Sequence, residues 1–494
     1  MDVARIDALR ARPVAPGSHI IDGAPRPASD GAVMDVVSPI DGQVLTTVPR
    51  GTADDAAAAV AAARAAFHDG RWSDLPPAAR KAVLLRWADL IEANALELAV
   101  LGVRDNGTEI AMAMKAEPMS AAAAIRFYAE AIDKLYGEIA PTGPGNLGLV
   151  HREPVGVVGA IVPWNFPLMI GAWKLGPALA AGNTVVLKPA ETASLTLLRI
   201  AELALEAGMP PGVLNVVTGE GAVVGAAIAE SMDVDVLVFT GSGATGRRLL
   251  EASARSNLKR VYLELGGKSP NVVFADAPDL DEAAKVSAYG IFRNSGQVCV
   301  AGSRLLVERS IHDAFVEKLA AVARQMKVGD PLDPATGAGA VNSERQLAQN
   351  LQFVEEARAA GRRIALGGGR ILEETGGYYM APTIVAGVAP DDRLAREEVF
   401  GPVLAVIPFD TEEEATALAN ATDYGLAAAV WTADLSRAHR MVRRIKAGIV
   451  HVNTYGGSDL TVPLGGVKQS GNGHDKSLHA FDKYLDLKTA WFKL

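Results

Sequence analysis

The chain has a single cysteine, Cys299, in 494 residues. One thiol cannot form an intramolecular disulfide, and it cannot build a zinc cluster of several thiolates. Such scarcity fits a reducing compartment. Long apolar runs are also missing. Nothing approaches the roughly 18 consecutive apolar residues of a membrane span. The opening Met1-Asp2-Val3-Ala4-Arg5 is acidic and polar and lacks the apolar core of a secretory signal. A soluble cytoplasmic protein is therefore expected. Excess basic charge is lacking too: 48 Lys and Arg against 57 Asp and Glu leave a net charge of −9. That balance makes a poor partner for nucleic acid or an anionic membrane surface. What remains is an ordinary folded composition, 49% apolar and 21% charged. At roughly 150 residues per domain the length predicts about three domains. It supports a sizeable core without disulfide or metal staples.

Residues 1–50 read as a loosely patterned entry with short strand-like runs. Helical spacing then dominates: an Ala-rich stretch at 53–67, a second at 80–103 with Leu84, Leu85, Ala88 and Ile91 on its period, and a third at 121–135. From Val155 short apolar runs alternate with helical stretches: VGVVGAIV, then 167–181; TVVLK, then 194–207; VLNVV, then 221–230; DVLVF, then 243–256; then RVYLEL. Strands alternating with helices predict βαβ units and a mainly parallel sheet. A second series runs from NVVFA through helices at 280–294, 312–326 and 343–359 to GIVHVN at 448–453. Two α/β modules meeting near 266–270 are expected, with Gly367-Gly368-Gly369 as a loop. No internal repeat is evident. The tail at 483–493 alternates like a strand far from both series, and is expected to pair outside its own module.

Several short segments carry possible chemistry. Cys299 follows a helix that stops at Asn294-Ser295-Gly296 and precedes the strand SRLLVE. A loop thiol suits a nucleophile, and a buried inert cysteine is the competing reading. FTGSGATG at 239–246 holds Gly241-x-Gly243-x-x-Gly246 between a strand and a helix. That is the dinucleotide fingerprint, with Glu264 about where a ribose carboxylate would sit. The fingerprint normally opens the first βαβ unit, so a tight turn with Ser242 near a helix cap also fits. PWNFP at 163–167 is a stiff turn that can hold the Asn165 amide as a donor, or simply a structural turn. LKPAE places Lys188 and Glu191 at the carboxyl end of a strand, where open α/β sheets bind ligands; a helix start with an acidic first turn reads the same way. EEVFGPV leaves Glu398 equally open. LELGGK puts Glu264 at a strand end, as general base or as a turn cap.

Together these segments resemble the aldehyde dehydrogenase superfamily. PWNFP, KPAE, FTGS, ELGGK, GQVC, EEVFGP and PLGGVKQSGNG occur in the family's order and cover nearly the whole chain. The tail from HVNTYGG to KTAW is similar to the branch acting on γ-glutamyl-aminobutyraldehyde and related ω-amino or guanidino aldehydes. Two departures stand out: Thr108 in RDNGTEI, where many relatives carry lysine, and His474, where the branch often carries arginine.

The resemblance implies an α/β fold of two doubly wound, Rossmann-like modules plus a small β oligomerisation arm. Residues 1–136 and 156–266 would bind NAD and 267–467 would carry the chemistry. Residues 137–155 and 468–494 would join subunits into a homodimer or homotetramer. Cys299 would attack the aldehyde, the Asn165 amide and the Cys299 N–H would hold the oxyanion, and Glu264 would activate water. Glu264 thus becomes a base, and the Rossmann reading of Gly241 to Gly246 recedes. Lys188 and Glu191 would hold the adenosine ribose and Gly221 would lie near the adenine. Phe239, Gly241, Ser242 and Leu265 would surround the dinucleotide, with Ser242 at the pyrophosphate. Trp164 would line the cleft, Glu398 would hold the nicotinamide ribose and Phe400 would lie beside the nicotinamide. A carboxylate at 191 repels a 2′-phosphate, so NAD is expected over NADP, which Lys188 keeps possible. The substrate pocket would use Met169, Trp173, Val298, Val300, Tyr455, Asp459 and Leu464, with Asp459 among apolar walls attracting a cationic tail. No metal is implied. The expected substrate is an ω-amino or γ-glutamylamino aldehyde of polyamine-type catabolism. The alternatives are a broad-specificity or betaine-type enzyme, a CoA-acylating relative (which generally lacks the Glu264 base) and a non-catalytic member.

Overall fold

The computed structural model describes residues 2–457 and 459–494. Two seven-stranded sheets and one three-stranded sheet carry most of it. The first large sheet has the order Arg260–Glu264, Val236–Thr240, Val157–Ile161, Thr184–Lys188, Leu214–Val216, His19–Ile21 and Ala24–Arg26. Its first five strands are parallel, and the two N-terminal strands add on antiparallel. Val157–Ile161 and Thr184–Lys188 are buried at every position, which is why they read as unbroken apolar runs. Chain order runs outward in both directions from the neighbours Val157–Ile161 and Val236–Thr240. That reversal opens a crevice at the carboxyl ends of the two strands.

The second sheet is ordered Arg363–Leu366, Thr383–Ala386, Val403–Phe409, Arg304–Glu308, Pro270–Val273, Ala427–Trp431 and Ile449–Val452. Every pairing is parallel except that of the edge strand Arg363–Leu366. The crossing between the two series falls at 265–269, and Gly367 to Gly369 lie outside any helix or strand, both as expected. One buried apolar cluster includes Val158 and Leu175 from the first half and Ile291 and Leu305 from the second. The C-terminal strand Leu485–Lys493 pairs antiparallel with Asn146–Pro154, itself paired with Glu138–Ala140. The tail does leave its own module, and this small sheet exposes Ile139, Leu487 and Trp491.

The observed elements depart from the expected ones in three places. The stretch 80–103 is two helices, Pro77–Ala93 and Ala95–Asn106. They break at Asn94, whose side-chain amide donates to the Leu90 carbonyl at 2.8 Å and so competes with the helical ladder. The helix beginning at Leu280 ends at Phe292, ahead of a tight turn. The entry segment contains a helix, Val3–Ala11, capped by Asp2; only Ile6 in it is buried, so its apolar periodicity is too weak to read.

Candidate active site

The turn after Val157–Ile161 and the loop after the Leu280–Phe292 helix are tied together directly. Asn165 is buried, and its Nδ2 donates to the Gln297 carbonyl at 3.0 Å. Asn294 Nδ2 donates to the carbonyls of Asn165 (3.4 Å) and Gln297 (3.3 Å). Asn294 itself is fixed by Glu109, which accepts its N–H at 3.1 Å, and by the Thr108 hydroxyl, which donates to its Oδ1 at 2.8 Å. The unusual Thr108 is thus a buried anchor of the cysteine loop. Asn294 and Ser295 both have φ of 50°, and Gly296 follows at 74°. A Cβ at 296 would lie 2.1 Å from the Gly401 carbonyl oxygen, so only glycine fits. This strained turn delivers Cys299 half-exposed into the crevice.

The electrostatics around the sulfur are unusual. Burial, then the carboxylates of Glu398 and Glu264, push the Cys299 thiol up to about 12, although the N–H groups of Val300 and Cys299 point at the sulfur. Glu264 ends its strand buried, and its Oε1 meets no hydrogen-bond partner among the described residues. Burial and the nearby Asp475 carboxylate raise its pKa well above the usual carboxylate range. Asp475 is clamped by Lys174 and Lys483, a fully buried ion triad behind Glu264. Glu398 accepts from the Gly267 N–H at 2.9 Å, and burial pushes it up to about 7.

A cavity of about 380 Å³ opens at the switch point. Trp164, Asn165, Gly241, Ser242, Leu265, Cys299, Glu398 and Phe400 all line it. Ser242 caps the helix Gly243–Arg255, accepting from the Thr245 N–H at 3.3 Å, so the cap and the cleft wall are one residue. Trp164 and Phe400 meet edge to face with centroids 5.2 Å apart, and Phe400 holds a positive φ of 58°. A Cβ at Gly266 would lie 2.0 Å from Glu398 Oε2. These residues suit a nicotinamide dinucleotide: a helix N-terminus for the pyrophosphate, paired aromatics for a flat ring, and a buried carboxylate for ribose hydroxyls. Glu191 lies beside Lys188 (3.3 Å) and accepts the Gly221 N–H at 2.6 Å, so these three predicted residues form one cluster. Phe239 does not line the cavity. Its ring fills the space under Gly241, where a Cβ would come within 2.4 Å, and it belongs to the sheet's core.

On the other side of Cys299, Tyr455 Oη donates to the Val300 carbonyl at 2.8 Å. Val298, Leu464 and Trp173 are buried and Met169 is half-buried, with its N–H held by Glu117 at 3.0 Å. Asp459 departs from expectation. It is exposed and accepts from the Thr461 N–H (2.8 Å) and hydroxyl (2.7 Å), because a loop carboxylate gains more from its own turn and solvent than from an apolar wall. His474 is exposed and points away, toward a surface cavity with Tyr262 and His479.

Sequence reasoning missed Arg247, Gln346, Gln349, Tyr424 and Gln469 in the cleft. It also missed the Lys174–Asp475–Lys483 triad. One signal for the triad exists: Lys174 is the lone charge in an otherwise apolar helix, and such a residue is buried only when paired.

The aldehyde dehydrogenase family model matches residues 26–490. The NADP/NAD-dependent aldehyde dehydrogenase PuuC of Escherichia coli K12 is 51% identical over 474 residues, covering 96% of this chain and 95% of that protein. The crystal structure of a gamma-glutamyl-gamma-aminobutyraldehyde dehydrogenase from Burkholderia cenocepacia matches at a TM-score of 0.98 and 52% identity, covering all of both chains. An indole-3-acetaldehyde dehydrogenase crystallised with NAD+ matches at 0.98 and 53%, again over the full length of both. With its switch-point cleft, its half-exposed thiol and these matches over almost its entire length, the chain belongs to the aldehyde dehydrogenase family.

Proposed function

We propose that this protein oxidises an ω-amino or γ-glutamylamino aldehyde to its carboxylic acid, with NAD(P)+ as acceptor and Cys299 as nucleophile. The observation that carries the reading is the junction of Asn165, Cys299 and the switch-point cavity, with a buried carboxylate, Glu264, close enough to the sulfur to raise its pKa. The resting thiol is protonated, so its proton must leave as the carbon–sulfur bond forms. Glu264 is the acceptor, its own proton affinity raised by burial. Asn165 has one amide N–H engaged by Gln297; the second, with the Cys299 N–H, holds the oxyanion of the tetrahedral adduct. When bound, NAD(P)+ takes up the hydrogen and electron pair that leave the substrate carbon, and Cys299 is then acylated. Glu264 releases that proton to solvent and then takes one from water, whose oxygen attacks the thioester; the carbon–sulfur bond breaks, the acid leaves, and Glu264 returns its proton to the Cys299 sulfur.

Residues 1–136 and 156–266 serve cofactor binding, and 267–467 supply the nucleophile. Glu191 disfavours a 2′-phosphate, which supports NAD as the main acceptor, and the E. coli relative's dual naming supports use of NADP as well. The Burkholderia relative's name supports the aminoaldehyde class. The exposed apolar residues of the small sheet support self-association as a dimer or tetramer through 137–155 and 468–494. No helix among the described residues is long and apolar enough to cross a membrane, and the lone free cysteine supports a cytoplasmic setting. The test is NADH absorbance with a panel of aldehydes, before and after alkylation of Cys299. Acid formation that alkylation abolishes is expected. No reduced nicotinamide with any aldehyde, or full activity after alkylation, refutes the reading.

A further inference from the structure

Two buried side chains, Lys476 and Trp173, are not used by the reaction above. The loop 455–464 begins beside the nucleophile, where Tyr455 meets the Val300 carbonyl. It ends on the segment around 475, where Leu464 and Asp475 exchange backbone hydrogen bonds of 2.8 and 2.7 Å. Between these points the Ser477 N–H donates to the Leu460 carbonyl at 2.7 Å. Tyr455 thus touches the residue after Cys299, while Leu460 and Leu464 bond the residues on either side of Lys476. Lys476 is buried, and its ammonium lies 5.8 Å from the centroid of the Trp173 ring. Trp173 is 9% exposed, and its indole N–H finds no acceptor among the described residues. An indole nitrogen can only donate, so this group awaits an oxygen.

The backbone under Lys476 is strained. Lys476 has φ of 64° and Ser477 has φ of 48° with ψ of −179°, a region that is nearly the preserve of glycine. Strain of this kind persists only where the surroundings impose it, and it clusters at ligand clamps. Here the neighbouring Asp475 is locked by Lys174 and Lys483, so the fold holds Lys476 over Trp173 against a backbone cost. Asp459 attracts the Lys476 ammonium from the exposed rim.

We propose that Lys476 and Trp173 form a recognition point for a carbonyl or carboxylate oxygen at the far end of the aldehyde. The preferred substrate is then an N-acylated or carboxylate-bearing aminoaldehyde, not one that ends in a free ammonium. The inference rests on aldehyde oxidation at Cys299. An ammonium at this wall repels a cationic tail and makes a charge-assisted hydrogen bond to an acceptor.

Steady-state kinetics with NAD+ test this on γ-glutamyl-4-aminobutyraldehyde, 4-acetamidobutyraldehyde, 4-aminobutyraldehyde and propanal. The native enzyme is expected to favour the two acylated aldehydes over 4-aminobutyraldehyde. Lys476→Met should lower kcat/KM for the acylated aldehydes relative to propanal by about tenfold, through KM, and Lys476→Arg should restore most of the ratio. None of these side chains is β-branched, so the positive φ becomes no harder to adopt. Trp173→Phe keeps a ring and removes the N–H, and should lower the same ratio severalfold. A loss confined to the γ-glutamyl substrate identifies the carboxylate as the group read; a loss shared by the acetamido substrate identifies the amide carbonyl. An equal loss on all four substrates in Lys476→Met, or a native preference for 4-aminobutyraldehyde, overturns the proposal. Absence of turnover with every aldehyde by the native enzyme refutes instead the oxidation reading on which it rests.

Discussion

The two large sheets share strand count and a mostly parallel arrangement, yet they meet the cleft with opposite ends. The first sheet presents carboxyl ends: Ile161 leads into the Asn165 turn, Thr240 into Gly241 and Ser242, and Glu264 into the Gly266–Gly267 turn. The second presents amino ends: Cys299 precedes the strand Arg304–Glu308, and Glu398 and Phe400 precede Val403–Phe409. Carboxyl ends of parallel strands lead into helix N-termini, which suit phosphates. Amino ends are reached by chain leaving helix C-termini, where carbonyls collect and left-handed turns are common. One sheet is therefore built to hold an anion, and the other to expose a side chain on a strained turn. Similar architecture leads to different work because the loops differ, not the sheets.

The sharpest way to break this division is Cys299→Ala. Turnover should fall on the order of 10⁴-fold or more. Coenzyme affinity, measured by fluorescence titration, should stay within about twofold. Loss of both together would show that the halves are not separable. Next in size is Glu264→Gln, expected to slow turnover about 10²–10³-fold. Intact-protein mass spectrometry should then find an acylated Cys299 accumulating. The native rate should rise with pH as Glu264 loses its proton, at a pH well above the ordinary carboxylate range because burial favours its neutral form. In Glu264→Gln that rising limb should be missing. The smallest effect is expected for Gly266→Ala. The new Cβ meets the mobile end of Glu398, not backbone, so the carboxylate shifts while the chain holds. The coenzyme KM should rise about threefold with the thermal midpoint nearly unchanged; a large drop in the midpoint would place Gly266 in the fold instead of the cofactor half.

The same contrast explains what sequence alone could reach. Val157–Ile161, Val236–Thr240 and the turns after them are legible because strand, glycine turn and helix cap are neighbours in the chain, and Ser242 carries its signal within three residues. The anchors of Cys299 are not. Glu109 and Thr108 reach Asn294 across 185 and 186 residues, and Lys174 reaches Asp475 across 301, distances at which no periodicity speaks. Asp459 misled for the opposite reason. Its acidity is visible in sequence, but whether a loop turns inward depends on partners that only the fold supplies. Phe239 shares a motif with residues of the cleft yet belongs to the core, because its ring takes the space that a side chain at Gly241 would occupy.

Lys483, a counter-ion of Asp475, lies two residues before Leu485–Lys493, the strand that completes the small outer sheet. The charge balance behind Glu264 is therefore tethered to the molecule's rim by a stretch of chain shorter than one helical turn. A neighbour pressing on Trp491 would therefore pull on Lys483 through the chain, and Lys483 is ion-paired with Asp475, whose charge acts on Glu264.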